Sequence, residues 1–170
     1  MSLNNKFQKL FQNCPVCKSK LGCDDNRVFC NNCDFDWYNN PAPSVSIALL
    51  KDKKILLAKR KIEPQKGLWD VPGGFIESGE SAEEATIREM EEETGLKVKI
   101  KKYLGSISDI YNDNPTLPLI FAVEQLDLNQ KPIAQDDVEE LRWFSLDEIP
   151  EKLAFKNVKE TIEKVKKYLI

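Results

Sequence analysis

Gly73 to Leu96 reads GGFIESGESAEEATIREMEEETGL, and the fold turns on how this stretch is read. Eight of its residues are Glu, and three of them, Glu89, Glu92 and Glu93, crowd one end of a helical pattern. Ser81 is a good N-cap, and Glu84 three residues later completes a capping box. Gly95 stands where a helix terminator belongs. At ~100° per residue, Ile87, Met90 and Thr94 share one stripe, with the Glu trio expected roughly opposite. Like charges at these spacings repel, and they sit toward the negative end of the helix dipole. A solvated acidic face is one reading. The other is a divalent ion, because clustered carboxylate oxygens suit Mg²⁺ or Mn²⁺. The preceding Gly-Gly loop, the cap and the interior Arg88, four residues before Glu92, favour the second.

Working outward, LWDV reads as a short strand that stops at Pro72. Before it, SVSIALL and KKILLAKRK form two β-like runs around a polar KDK, which predicts a hairpin. After the helix, KVKIKKYLGSISDI is expected as one strand, YNDNPTLP as a loop and LIFAVEQLDL as a buried strand. QDDVEE follows as an acidic loop, LRWFSL as a strand and LDEIPEKL as a short helical turn. FKNVKETIEKVKKYLI has helical spacing through Phe155, Val158, Ile162, Val165 and Leu169. Strands and helices alternate without a regular βαβ rhythm, so a mixed sheet with flanking helices is expected.

At the other end, Cys14-Pro-Val-Cys17 and Cys30-Asn-Asn-Cys33 are two CxxC knuckles twelve residues apart. Four thiolates at this spacing suit a closed, structural zinc site with no position left for water. The segment has too few large apolar residues to build a core, so the metal would supply its folding energy. Cys23 falls off the pattern and reads as a spare thiol. Lys6, Lys9, Lys18, Lys20 and Arg27 are opposed by Asp24, Asp25, Asp34 and Asp36, so a basic patch is missing and the reading disfavours nucleic acid as partner. Phe29, Phe35, Trp37 and Tyr38 could stack on bases, but such residues more often bury themselves. NNPAP, Asn39 to Pro43, reads as a linker. The expected domains are a ribbon over 1–38 and a larger body over 39–170.

The 170 residues carry a net charge of −3, so no broad positive field advertises nucleic acid or an anionic membrane. No apolar run reaches the ~20 residues of a membrane span. MSLNNKFQKLFQN lacks the long apolar core of a signal peptide, and the expected compartment is the cytoplasm. The sequence has no His, which moves any chemistry onto carboxylates, thiolates, Lys, Arg and Tyr.

The spacing Gly74, Glu80, Arg88-Glu89-Met90, Glu92-Glu93, Gly95-Leu96 resembles the signature G-x5-E-x7-R-E-U-x-E-E-x-G-U of the Nudix hydrolases without a mismatch, U being a bulky apolar residue. The resemblance runs from about Pro43 to the C-terminus, and the ribbon resembles that of the NADH pyrophosphatase branch. It implies an α/β (α+β) fold, an α/β/α sandwich with a mixed sheet behind a small zinc ribbon. It implies metal-dependent hydrolysis of a nucleoside diphosphate linked to another moiety, such as ADP-ribose or a dinucleotide. Glu89, Glu92 and Glu93 would then be Mg²⁺ or Mn²⁺ ligands, joined by a carbonyl of Gly73 or Gly74, with Arg88 orienting the carboxylates and Glu80 in a supporting place. A downstream ligand or base would come from QDDVEE, Asp137 ahead of Glu139. Phe75, Tyr111 and Phe121 could stack a base, and Lys59 or Arg60 could meet phosphate.

GSISDIYNDNPTLP lacks the SQPW-type motif of the NADH pyrophosphatase branch. Asn112 stands where many ADP-ribose pyrophosphatases carry Pro, and Pro115 and Pro118 come later. Two other readings stay open: a nucleoside triphosphate pyrophosphohydrolase, and a nucleotide-sensing module without catalysis. Many relatives dimerise, and the ribbon could build such a contact.

Overall fold

The computed structural model describes residues 11–169. The amino-terminal residues read above, Lys6 and Lys9 among them, lie outside that range. Its residues divide into two compact units, one up to Pro41 and one from Ala42.

The first unit is a small antiparallel sheet of β1 (Leu21–Cys23), β2 (Arg27–Cys30) and β3 (Asp36–Tyr38), in that order. Arg27 ties it together. Its Nε donates to Asp24 Oδ2 at 2.9 Å and its Nη1 to Asp36 Oδ2 at 2.7 Å. The acidic residues that oppose the basic ones in the sequence are therefore partly spent on Arg27. Trp37 and Tyr38 keep 37% and 51% of their surface exposed, against the expectation that they are buried. Arg27 lies over the Tyr38 ring at 5.8 Å, which lets the ring stay at the surface.

The second unit is built on a sheet ordered β10 (Val138–Ser145), β5 (Lys54–Arg60), β4 (Ala42–Lys51), β9 (Asn114–Gln125), β7 (Val98–Ser106). Strand β6 (Trp69–Asp70) pairs with β5, and β8 (Asp109–Tyr111) pairs with β9. The central β4–β9 pair is parallel and the others are antiparallel, so the sheet is mixed. Alternation along the strands sorts the core into two faces. Val45, Ile47, Leu49 and Leu56 pack with Ala85 and Met90 of helix α1 (Ala82–Thr94). Ala48, Ile55 and Leu57 pack with Val158, Ile162 and Val165 of helix α2 (Lys156–Tyr168). Helix, sheet, helix is the expected sandwich. No helix among the described residues is long and apolar enough to cross a membrane.

The hairpin, the short strand at Trp69 and both long helices follow the sequence reading. Five local expectations do not. The 97–110 stretch is two strands, β7 and β8. Residues 111–118 are not a loop, because only Asn112 and Asp113 turn, both at positive φ, and β9 starts at Asn114. Pro115 and Pro118 each remove one donor but keep their acceptor, and Ile107 N–H donates to Pro118 O at 3.1 Å. Residues 146–153 form turns without a helix, since Pro150 disfavours helical geometry just before it. On α1, Ile87 is exposed while Thr86 and Met90 are fully buried. Leu169 likewise lies beyond α2 and is half-exposed.

Candidate active site and metal centres

Helix α1 is fixed at both ends. Ser81 and Glu84 form the reciprocal capping box, and Gly95 closes the helix in the left-handed region at φ 68°. The Gly73–Gly74 loop is laid along β4 by backbone bonds, Ile47 N–H to Pro72 O and Val45 N–H to Gly74 O, both 2.8 Å. Two side chains could not fit there. A Cβ on Gly73 would lie 2.1 Å from Val45 O, at φ 147°. One on Gly74 would lie 2.3 Å from Glu89 Oε1. The glycines thus let the loop come down onto the helix carboxylates. Gly73 N–H donates to Glu93 Oε2 at 3.1 Å.

Arg88 knits this corner. It donates to both Glu80 oxygens (2.6 and 3.0 Å), to Phe75 O (3.1 Å), to Glu89 Oε1 (2.8 Å) and to Glu92 Oε2 (3.0 Å). Five bonds from one planar guanidinium fix loop, helix and carboxylates in one register.

The carboxylates do not behave alike. Glu89 and Glu93 are buried on the sheet-facing side of α1, beside Met90 and Thr94 rather than opposite them. Glu92 is half-exposed and turns to Arg88. Burial first, then the Asp137 charge, pushes the Glu93 carboxyl well above the usual range. Glu89 is raised by burial against the pull of Arg88, with Glu92 and Asp137 adding to it. Asp70, partly buried on β6, is pushed up to about 7 by desolvation, with Arg60 opposing and Asp137 adding. The Asp137 charge thus adds to the rise of all three, and Asp137 lines the same cavity as Asp70. Among the described residues no Lys or Arg pairs with Glu93. A buried cluster of hard oxygens short of cations is what a divalent ion fits.

Asp137 and Glu139, read together in the sequence, separate in space. The 135–140 stretch is not all loop, since β10 starts at Val138. Glu139 projects from that strand to Lys59 at 3.1 Å, whereas Asp137 lines the cavity. Phe121 is also withdrawn, buried in the α1-side core. A cavity of about 160 Å³ opens beside the carboxylates, lined by Gly73, Gly74, Asp70 and Asp137 and by the three proposed substrate contacts Phe75, Arg60 and Tyr111. Asp70, Phe155 and Asn157 were not singled out from the sequence. An acid inside an apolar strand was the available signal for Asp70. Nothing in the sequence flagged the other two.

In the ribbon, Cys14 Sγ lies 3.5 Å from Cys33 Sγ, and Cys17 Sγ lies 3.4 Å from Cys30 Sγ. All four ligand atoms lie within 4.8 Å of one another. The amides of Val16 and Cys17 point at Cys14 Sγ, and Asn32 N–H points at Cys30 Sγ. Hydrogen bonds from Ser19 pull the Cys17 thiol down to about 5. The cluster fits a zinc ribbon. Among the described residues it alone already converges on one point; the box carboxylates stand further apart.

The family model of the NUDIX domain matches residues 40–165, and the chain belongs to that family. It is 43% identical over 124 residues to an ADP-ribose pyrophosphatase from Methanocaldococcus jannaschii, covering 72% of each chain. It is 30% identical over 152 residues to an NAD-capped RNA hydrolase, NudC, from Haemophilus influenzae. That match covers 86% of this chain and 56% of the relative, so the chain spans little more than half of that protein's length. Among solved structures, a NUDIX hydrolase from Nitrosomonas europaea superposes with a TM-score of 0.72 at 27% identity, covering 93% of this chain and 90% of the other.

Proposed function

We propose that the protein hydrolyses the diphosphate of ADP-ribose, giving AMP and ribose 5-phosphate. The observation that carries this reading is the carboxylate cluster of Glu89, Glu93 and Asp137, in which the buried Glu93 pairs with no Lys or Arg among the described residues, beside a ring-lined cavity in a chain 43% identical to an ADP-ribose pyrophosphatase. Glu89, Glu93 and Glu92 would hold Mg²⁺ or Mn²⁺. Gly73 is the favoured carbonyl ligand, because Gly74 O already accepts from Val45 N–H. Bound there, the ions would neutralise the diphosphate and lower the pKa of water. Water attacks one phosphorus, the bridging P–O bond breaks, and Asp137 takes the water's proton. Arg88 keeps Glu89 and Glu92 in place. Arg60 and the rings of Phe75 and Tyr111 hold the substrate. Zinc on the four thiols would fold the ribbon, and a reducing cytoplasm would keep them available.

A dinucleotide at the end of an RNA is the second reading. The NudC similarity favours it, since its 86% coverage reaches beyond residues 40–165. The test is product analysis by anion exchange with Mg²⁺, using ADP-ribose, NADH, an NAD-capped RNA and each common nucleoside triphosphate. AMP and ribose 5-phosphate from ADP-ribose, lost in Glu93→Gln, support the proposal. Pyrophosphate release from triphosphates alone would replace it with the pool-cleaning reading. No cleavage, with Mn²⁺ tried in place of Mg²⁺ as well, would leave the sensing module.

A further inference from the structure

The rings that line the cavity have their own construction. Three rings from three segments meet there. Phe75 and Tyr111 are edge to face with centroids 5.6 Å apart, and Tyr111 lies 5.4 Å from Phe155. The Arg60 guanidinium covers Phe155 at 5.0 Å. Helix α2 starts beside these rings with Phe155 at its N-cap, a residue that offers no side-chain acceptor to the first-turn amides. Asp109, from β8, supplies one: Asn157 N–H donates to Asp109 Oδ2 at 2.9 Å. This bond ties the strand that carries Tyr111 to the helix that carries Asn157.

It also fixes the Asn157 side chain in the cavity wall. Asn157 Nδ2 donates to Ser46 Oγ at 3.2 Å. Its Oδ1 is buried and has no hydrogen-bond partner. A buried carbonyl oxygen without a donor is unfavourable, and a ligand donor that reaches it removes that penalty. Beside aromatic walls, the natural ligand is a flat ring with an amino group on its edge. Asparagine carbonyls pair with the adenine amino group in this way. At about 160 Å³ the cavity is below the ~300–1,000 Å³ of sites that enclose a drug-sized ligand, so it seats one moiety of the substrate rather than the whole.

We propose that Asn157 is a specificity-determining residue that accepts a hydrogen bond from the exocyclic amino group of an adenine ring seated among Phe75, Tyr111 and Phe155. The inference rests on the reading of the site as one for an ADP-linked substrate. Asn157 selects the base, and Asp109 positions Asn157.

The test is isothermal titration of the full chain with ADP-ribose and with its inosine counterpart, in which a carbonyl replaces the amino group. EDTA is present so that no turnover intrudes. The unsubstituted protein should prefer ADP-ribose by on the order of tenfold. Asn157→Leu should lose the preference, and Asn157→Asp, which keeps an acceptor, should retain it. Both variants keep the backbone N–H that meets Asp109, and circular dichroism checks their folding. Equal binding of the two compounds, a preference that survives in Asn157→Leu, or binding of neither would overturn the inference. Adding Mg²⁺ afterwards separates it from the hydrolytic reading. Base discrimination without cleavage would sink the hydrolysis and leave Asn157 its role. Cleavage without discrimination would do the reverse.

Discussion

The molecule concentrates like charge in two places and assembles them in opposite ways. The four thiols of the ribbon come from two knuckles whose members are three residues apart, and they already lie within 4.8 Å of one another. The carboxylates of the second unit come from β6, α1 and the turn before β10, and burial together with their mutual charge raises Asp70, Glu89 and Glu93 above the usual carboxylate range. The difference is one of scaffold. The ribbon has little else to hold it, so its metal is proposed to make the fold. The carboxylate cluster sits on a packed sheet between two helices, so the body is proposed to tolerate an unfavourable cluster for the sake of its chemistry.

The sharpest way to break this comparison is to remove the metals. Chelation or Cys30→Ser should unfold the ribbon while the second unit keeps its cooperative melt; calorimetry of the treated protein checks it. Loss of both units together would contradict the contrast.

The next effect separates activity from stability. Glu93→Gln should lower ADP-ribose hydrolysis at least about a hundredfold yet leave the metal-free protein as stable as before, or more so. The sign follows from the raised carboxyls. A carboxyl whose pKa is higher folded than unfolded contributes stability that is present below the unfolded value and lost as pH rises through the folded one. The metal-free second unit should therefore lose Tm as pH rises from the ordinary carboxylate range through about 7, the raised value of Asp70, with the raised Glu93 adding to the loss in the same direction. Glu93→Gln should flatten that slope, as should added Mg²⁺. Thermal melts across pH read it directly.

Arg88→Lys should cost about 10–100-fold in activity, since a point charge cannot make the five bonds that orient Glu89 and Glu92. Steady-state kinetics checks this. The smallest effect is predicted for Glu139→Gln. Its exposed pair with Lys59 should be worth about 0.5 kcal/mol or less, and hydrolysis should change little. Asp137→Asn, two residues away, should be severely impaired in the same assay.

The sequence made one half of this comparison plain and the other only in part. The CxxC knuckles, the capping box and Gly95 are local, and local spacing specifies them. Glu89 and Glu93 were legible as a cluster, but not as buried, because a helical wheel does not say which face the sheet covers. Ile87 shows the same limit: an apolar residue at the expected spacing lies exposed. The 111–118 stretch was misread since two prolines look like a breaker until each is placed where only its acceptor is used. Asn157 reaches the cavity through the meeting of β8 and α2, segments 48 residues apart that no short window along the chain contains, and Asp70 through β6 folding back on β5, a pairing its apolar neighbours do not announce. Asp137 and Glu139 differ by a single step onto β10, and that step sends one to the cluster and the other to Lys59.

The central claim is that the buried carboxylates form the hydrolytic metal site. Titration of Mn²⁺ into the metal-free protein, followed by the electron paramagnetic resonance signal of the free ion, tests it most directly. The account predicts saturable loss of that signal, strongly weakened in Glu93→Gln and unchanged in Glu139→Gln. No binding, or equal binding in Glu93→Gln, would contradict it.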